Sequence, residues 1–233
     1  MLLFTLIILT ASLAPVIFLM LYIYRKDRYK KEPFGLLAKA FAGGILAALM
    51  DIVLLSLFGT GDLPYGASGF RQALHQAFCQ AALPEEFCKL FFLYLFVWKS
   101  RDFNEYYDGI EYAAFVGLGF AGFENITYVI KYGLSVAVGR AFFAVPAHFF
   151  FAISMGFFFS FAKFRPWKKH YYLGLAYIVP VLLHGIYDFI LMYKEIIQST
   201  HILTAAFLNL VFYVFFFFIW KQAQKKIRQL AGR

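Results

Sequence analysis

Seven long apolar segments, at about residues 2–24, 34–58, 70–98, 109–131, 139–162, 171–193 and 202–220, follow one another with only short polar connections between them. Each is close to the roughly 20 residues a helix needs to cross the hydrocarbon core of a bilayer. A backbone in lipid must satisfy its hydrogen bonds internally. The pattern therefore predicts an all-α fold, a polytopic transmembrane helical bundle of about seven spans. Of the 233 residues 62% are hydrophobic and 15% charged, against about 45–50% and 25% in soluble domains. No stretch remains for a soluble domain, so residues 1–233 read as one integral-membrane domain, with a motif-bearing core at about 27–193.

The net charge of +9 does not point to nucleic acid, because the basic residues sit in short loops. The connections at 25–33, 99–108 and 163–170 and the tail from Lys221 hold sixteen Lys and Arg, and the opposite connections at 59–69, 131–140 and 194–201 hold three. The positive-inside rule puts the first set in the cytoplasm, with the N-terminus outside and the C-terminus cytoplasmic. Residues 1–24 lack the basic start of a secretory signal and are too long for one, so they read as a span. Cys79 and Cys88 lie nine apart, on opposite sides of a continuous helix, and form no disulfide or metal pattern.

Ionisable side chains inside spans are costly and functional by default. The densest group is Pro84-Glu85-Glu86-x-x-Lys89. Lys89 follows Glu85 by four residues and Glu86 by three, so it can reach either. Pro84 suits a first helical turn or a kink, and a helix start there would place both acids at the positive end of the dipole. One ammonium cannot balance two carboxylates, which points to a pocket holding water or a metal. The stretch 70–82, with Gln72, Gln76 and Gln80 on one face, is either the first half of this span or an interfacial helix.

The remaining polar residues recur at helical spacing. Phe120, Glu124 and Tyr128 share a face, with Asn125 beside it, and His184 and Asp188 are one turn apart, so the carboxylate can orient the imidazole. His148 follows Pro146 in the fifth span, Asp51 is read as a hydrogen bond to a neighbouring span, and Asp108 and Glu111 are read as groups at a helix end. Ala113, Gly117 and Ala121, and Gly43, Ala47 and Asp51, form small-residue stripes suited to close helix packing. At about 1.5 Å rise per residue, Glu124, His148 and His184 all fall in the outer half of the bilayer. That agreement predicts one outward-opening site.

The ordered set Glu85-Glu86-x-x-Lys89, Phe120-x-x-x-Glu124 and His184-x-x-x-Asp188 resembles the PrsW intramembrane proteases. The flanking "DRYKKEP", "DGIEYAAFVGLGFAGFENITY" and Arg140 with "PAH" agree, so the resemblance covers about residues 27 to 188. The layout is also similar to the type II CAAX prenyl endopeptidases, which carry His where this chain has Glu124 and usually Asn where it has Asp188. The resemblance implies a bacterial multi-pass plasma-membrane peptidase making the site-1 cut in a single-span anti-sigma factor, on its extracytoplasmic side. Such a cut starts a cascade that frees a sigma factor for stress-responsive transcription.

In the favoured scheme Glu85 or Glu86 is the general base for a water, Lys89 holds the other carboxylate, Glu124 positions the water, and His184, oriented by Asp188, donates to the oxyanion or protonates the leaving amine. That scheme requires no cofactor. Zinc is the open alternative, with Glu124, His148, His184 and Asp188 as candidate ligands, although no H-E-x-x-H is present. The expected partners are the substrate's span and the lipid bilayer. Three other readings remain open, namely a proton- or cation-coupled transporter, a membrane chaperone or adaptor that binds a partner helix through its glycine faces, and a CAAX-like protease with another substrate.

Overall fold

The computed structural model describes residues 2–27, 31–59 and 67–231. Arg28, Tyr29 and Lys30 of "DRYKKEP", and residues 60–66 of the loop at 59–69, lie outside the described residues. The fold is all-helical among the described residues. Its helices are α1 (Leu2–Lys26), α2 (Phe34–Phe58), α3 (Gly69–His75), α4 (Leu83–Val97), α5 (Tyr106–Tyr132), α6 (Ser135–Gly139), α7 (Val145–Phe164), α8 (Lys169–Ile197) and α9 (Ile202–Leu230). The π-helical stretch Gln76–Ala82 joins α3 to α4, and Arg140–Ala144 joins α6 to α7. Seven rods result, matching the seven apolar segments. Six of them are long and apolar enough to cross a membrane. The rod built from α3 and α4, which carries Arg71, Glu85, Glu86 and Lys89, is not among those six.

Both π-helical stretches end just before an X-Pro pair, Leu83-Pro84 and Val145-Pro146. A proline cannot donate to the fourth residue back, and its ring crowds that carbonyl. The winding loosens instead: the Leu83 N–H donates to the Phe78 carbonyl and the Val145 N–H to that of Arg140, five residues back in each case. Of the two places open to Pro84, a helix start or the interior of a helix, it takes the second. Ala82 and Leu83 keep right-handed helical angles and the rod runs on, so Glu85 and Glu86 do not sit at a free N-terminus and draw no dipole stabilisation from one. Loosened turns of this kind often mark functional sites, and these two precede Glu85 and His148 by a few residues.

The centre of the bundle is α5, packed against α1, α2 and α7 and buried on nearly every side from Tyr107 to Gly122. Asp108 caps it, accepting from the N–H groups of Asn104 (2.9 Å) and Glu105 (2.6 Å), as expected for an acid at a helix start. Glu111 departs from expectation. It is fully buried rather than reaching the interface, and neither carboxylate oxygen has a hydrogen-bond partner among the described residues.

The α2–α5 crossing depends on missing side chains. A Cβ added at Gly119 would lie 2.1 Å from the Phe41 carbonyl oxygen, and one at Gly44 would lie 2.0 Å from that of Val116. The backbones touch there, as small residues permit in lipid. We expect Gly119→Ala to cost about 1–3 kcal/mol through overpacking, read as a lower thermal midpoint in detergent. An unchanged midpoint would show that α2 is free to move away from α5. Because α2 carries Asp51 and α5 carries Glu124, this contact also sets the width of the cavity between them.

Candidate active site

The sequence places Lys89 one turn beyond Glu85 and Glu86 on α4, and helical geometry turns all three inward. The Lys89 Nζ donates to Glu85 Oε2 at 3.1 Å and to Glu86 Oε1 at 2.8 Å. Its third hydrogen meets His148 Nδ1, 3.1 Å away on α7. An ammonium has three donors and no acceptor, so this one is fully used. The same constraint fixes the tautomer of His148. Its Nδ1 must offer a lone pair, so Nε2 carries the proton and donates to Glu124 Oε2 at 2.9 Å. The ring of Phe120, one turn before Glu124, lies 4.0 Å from the ammonium and 5.6 Å from the His148 ring. That accounts for the aromatic in Phe-x-x-x-Glu: it covers the cation with its negative face.

The chain of contacts continues at both ends. Arg140 Nη2 donates to Glu124 Oε2 at 2.7 Å, and its Nε donates to Asn125 Oδ1 at 2.9 Å. Asn125 Nδ2 in turn donates to the Ser12 carbonyl on α1 at 2.9 Å. On the other side, His184 Nδ1 lies 2.9 Å from Glu86 Oε1, and its Nε2 lies 3.2 Å from Asp188 Oδ2 and 4.0 Å from Glu85 Oε2. Phe151 stacks on the His184 ring at 4.9 Å. With a carboxylate at each nitrogen, both ring positions are placed to donate. One bonded line thus runs Asp188–His184–Glu86–Lys89–His148–Glu124–Arg140 and ties α8, α4, α7 and α5 together.

Every residue singled out for chemistry in the sequence lies on or against this line. The six expected to meet, Glu85, Glu86, Lys89, Glu124, His184 and Asp188, do meet. His148 emerges as the bridge between Lys89 and Glu124. The sequence reading missed the ion pair of Arg140 and the anchoring of Asn125. Arg140 stands sixteen residues from Glu124, beyond any helical spacing, and its signals were a charge at the edge of an apolar stretch and its place beside "PAH" in the family resemblance, neither of which names its partner. Asp51 shows no hydrogen bond to a neighbouring span among the described residues. Its Oδ1 is buried without a partner among them, and the side chain instead lines a cavity of about 360 Å³ with Gln76, Gln80, Glu85, Glu124 and Tyr128. Of the bonded line only Glu124 reaches that cavity, joined in its wall by Glu85, which branches from Lys89, while Glu86, Lys89, His148 and His184 stand behind them.

Four ligand atoms, one each from Glu85, Glu86, His148 and His184, lie within 4.8 Å of one another. Two imidazoles and two carboxylates are the donor types of a catalytic zinc, and Glu86 Oε2 is buried with no partner among the described residues, the kind of lone pair an ion would satisfy. The donor set therefore fits a divalent metal. Lys89 competes for it, since the ammonium already takes a lone pair from Glu85, Glu86 and His148. Glu124 and Asp188, counted as candidate ligands from the sequence, are not in this four-residue set.

The family model described as "PrsW family intramembrane metalloprotease" matches residues 32–220. This chain belongs to the PrsW family. Proteins named Protease PrsW from Geobacillus kaustophilus, Oceanobacillus iheyensis and Bacillus subtilis are 35%, 38% and 36% identical to it, over 81%, 84% and 79% of this chain and 81%, 87% and 82% of their own lengths. No solved structure matches it. Membership decides between the peptidase and the transporter that the residues alone left open: this PrsW chain is a membrane-embedded protease. Its bacterial relatives and six apolar helices make it a multi-pass protein of the plasma membrane.

Proposed function

We propose that the protease cuts a single-span membrane protein, an anti-sigma factor, at its extracytoplasmic side, and so starts the release of a sigma factor. The observation that carries the catalytic part is the Glu85 carboxylate, held by Lys89 and opening into a cavity shared with Glu124. The anti-sigma substrate rests on the family resemblance. The outward site rests on the loop charges, which place the N-terminus outside and the C-terminus in the cytoplasm.

Glu85 is the general base in this reading. It is the acid of the pair that reaches the cavity, whereas Glu86 is wholly buried and serves to lock Lys89 and His184 in register. A water held between Glu85 and Glu124 loses its proton to Glu85, and its oxygen attacks the scissile carbonyl carbon. Gln76, Gln80 and Tyr128 line the same cavity and carry N–H and O–H donors for the oxyanion. When the tetrahedral intermediate collapses, the C–N bond breaks and the amine takes from Glu85 the proton that Glu85 took from the water. His184, fixed by Asp188 and 4.0 Å from Glu85, stands behind that transfer as the second donor.

A metal-assisted version rests on the four-residue donor set and the unpartnered Glu86 Oε2. Glu85, Glu86, His148 and His184 would hold the ion, which when bound would supply Lewis acidity to the water and the carbonyl. Metal analysis of the purified protein with a chelator titration separates the two schemes. The metal-free scheme predicts full cleavage at chelator concentrations that strip zinc, and stoichiometric zinc whose removal abolishes cleavage would eliminate it.

The function itself is tested by co-expressing the protease with candidate single-span anti-sigma factors and mapping the cut by mass spectrometry. A cut outside the cytoplasmic half of the substrate's span, lost in Glu85→Gln, Glu86→Gln and His184→Ala, is expected. Cleavage by all three variants at the wild-type rate would remove these residues from the mechanism.

A further inference from the structure

A second and larger cavity, of about 1470 Å³, lies on the far side of α7. Small-molecule pockets measure roughly 300–1,000 Å³, so this one suits a bulkier ligand. Its walls come from α1, the Val138–Phe143 stretch, α7 and α9. Aromatic residues dominate most of its length, among them Phe18, Phe142, Phe149, Phe150 and Phe217. At one end the character changes: Lys221, Lys225 and Arg228 project from the last turns of α9, with Gln224 between them and Trp220 just above. The three basic side chains are at least partly exposed, with Lys221 and Lys225 on one face a turn apart. None of the three has an ion pair among the described residues, and α9 contains no acidic residue at all. Tyr22 donates to Gln224 Oε1 at 2.8 Å and pins that end of the groove to α1.

We infer that this groove binds an anionic phospholipid, its acyl chains along the aromatic wall and its phosphate against Lys221, Lys225 and Arg228. Three observations select that occupant. First, the groove does not lead to the acids. Pro146, Phe149 and Phe150 line it, whereas His148 and Phe151 on the same helix face the catalytic line; successive side chains turn about 100° around a helix, so the two surfaces lie on opposite sides of α7. A substrate span seated in the groove could not present its peptide bond to Glu85.

Second, the charge favours a lipid over a protein span. A second copy in the same bilayer, or a substrate span, ends on this face with basic residues of its own by the positive-inside rule. Either would set cations against the unpaired cations of α9, whereas the headgroup of an anionic lipid complements them. Third, apolar length and cationic end occur in one continuous groove, in the order in which a phospholipid carries its chains and its phosphate. Basic residues beside a membrane attract anionic lipid at about fivefold in affinity for each charge.

The test uses the full chain, delipidated in detergent and titrated with phosphatidylglycerol or with phosphatidylcholine of the same chains, and bound lipid is counted by native mass spectrometry. Wild type is expected to retain one phosphatidylglycerol per chain and to bind phosphatidylcholine at least tenfold more weakly. Lys221→Gln combined with Lys225→Gln and Arg228→Gln, all surface changes, should erase most of that preference. Gly139→Leu is the second variant. A Cβ at Gly139 meets nothing within 4 Å, so the larger side chain fills the groove without disturbing the fold and should lower the affinity for both lipids.

Equal retention of the two lipids would overturn the proposal, as would a preference that survives the triple substitution. A Gly139→Leu variant that still binds phosphatidylglycerol normally would reduce the effect to surface charge and also overturn it. So would a lipid-free dimer that Gly139→Leu dissociates, because the occupant would then be a second copy of the chain.

Discussion

Glu85→Gln is expected to lower the rate of substrate cleavage by about 10²–10⁴-fold, the usual contribution of a general base, and to leave the protein folded. The amide keeps the shape of the carboxylate and can still accept from Lys89 through its oxygen, so the structural loss is small. Glu86→Gln should behave differently. Its Oε1 serves both Lys89 and His184 in a site with no access to water, and neutralising it leaves two buried donors around one weakened acceptor. Activity and thermal stability should fall together there. The comparison is made with purified proteins in one detergent, measuring cleavage of a reconstituted single-span substrate alongside the unfolding midpoint. If Glu86→Gln keeps wild-type stability and Glu85→Gln keeps wild-type activity, the roles given to the two acids are reversed.

The second large effect is expected at Lys89. Removing one member of a buried, hydrogen-bonded ion cluster typically costs about 3–5 kcal/mol, because its partners stay buried and unpaired. Lys89→Met keeps the length and apolar stem of the side chain and deletes only the ammonium, so it isolates that cost. The midpoint should drop sharply and cleavage should be lost. The same substitution frees the lone pairs of Glu85 Oε2, Glu86 Oε1 and His148 Nδ1 from the ammonium. Zinc added to Lys89→Met should therefore bind more tightly than zinc added to wild type and restore part of the lost stability. A variant as stable as wild type, with unchanged zinc affinity, would mean that the ammonium neither holds the cluster together nor competes with a metal for it.

Much of the site was legible in the sequence because its internal links are local. Glu85 to Lys89, Phe120 to Glu124 and His184 to Asp188 are each one helical turn, and a turn can be read from spacing. That the three pairs meet was expected from their common depth and from the resemblance, and the bonds from Glu86 to His184 and from Lys89 to His148 are where they do so. Arg140 was harder to read, since its partner lies on another helix and nothing in the spacing names it. The π-helical turns also escaped. Pro84 and Pro146 were visible as breaks in hydrogen bonding, but a proline can end a helix, bend it or merely loosen it, and neighbouring helices decide which. Glu111 shows the same limit from the other direction: the sequence put it near a helix end, while packing around α5 closed it off.

The line from Asp188 to Arg140 also bears on how substitutions there combine. Each interior member bonds two neighbours, and the links from Glu86 to His184, Lys89 to His148 and His148 to Glu124 cross between helices, so loss of one changes the bonding of the next. Effects of paired substitutions along it should fall well short of the sum of the single ones, whereas pairs taken from either side of the Gly44–Gly119 crossing and the Lys221–Arg228 surface should simply add. A thermodynamic cycle across His184 and Glu124, which share no direct bond, would measure how far that dependence travels through the bundle.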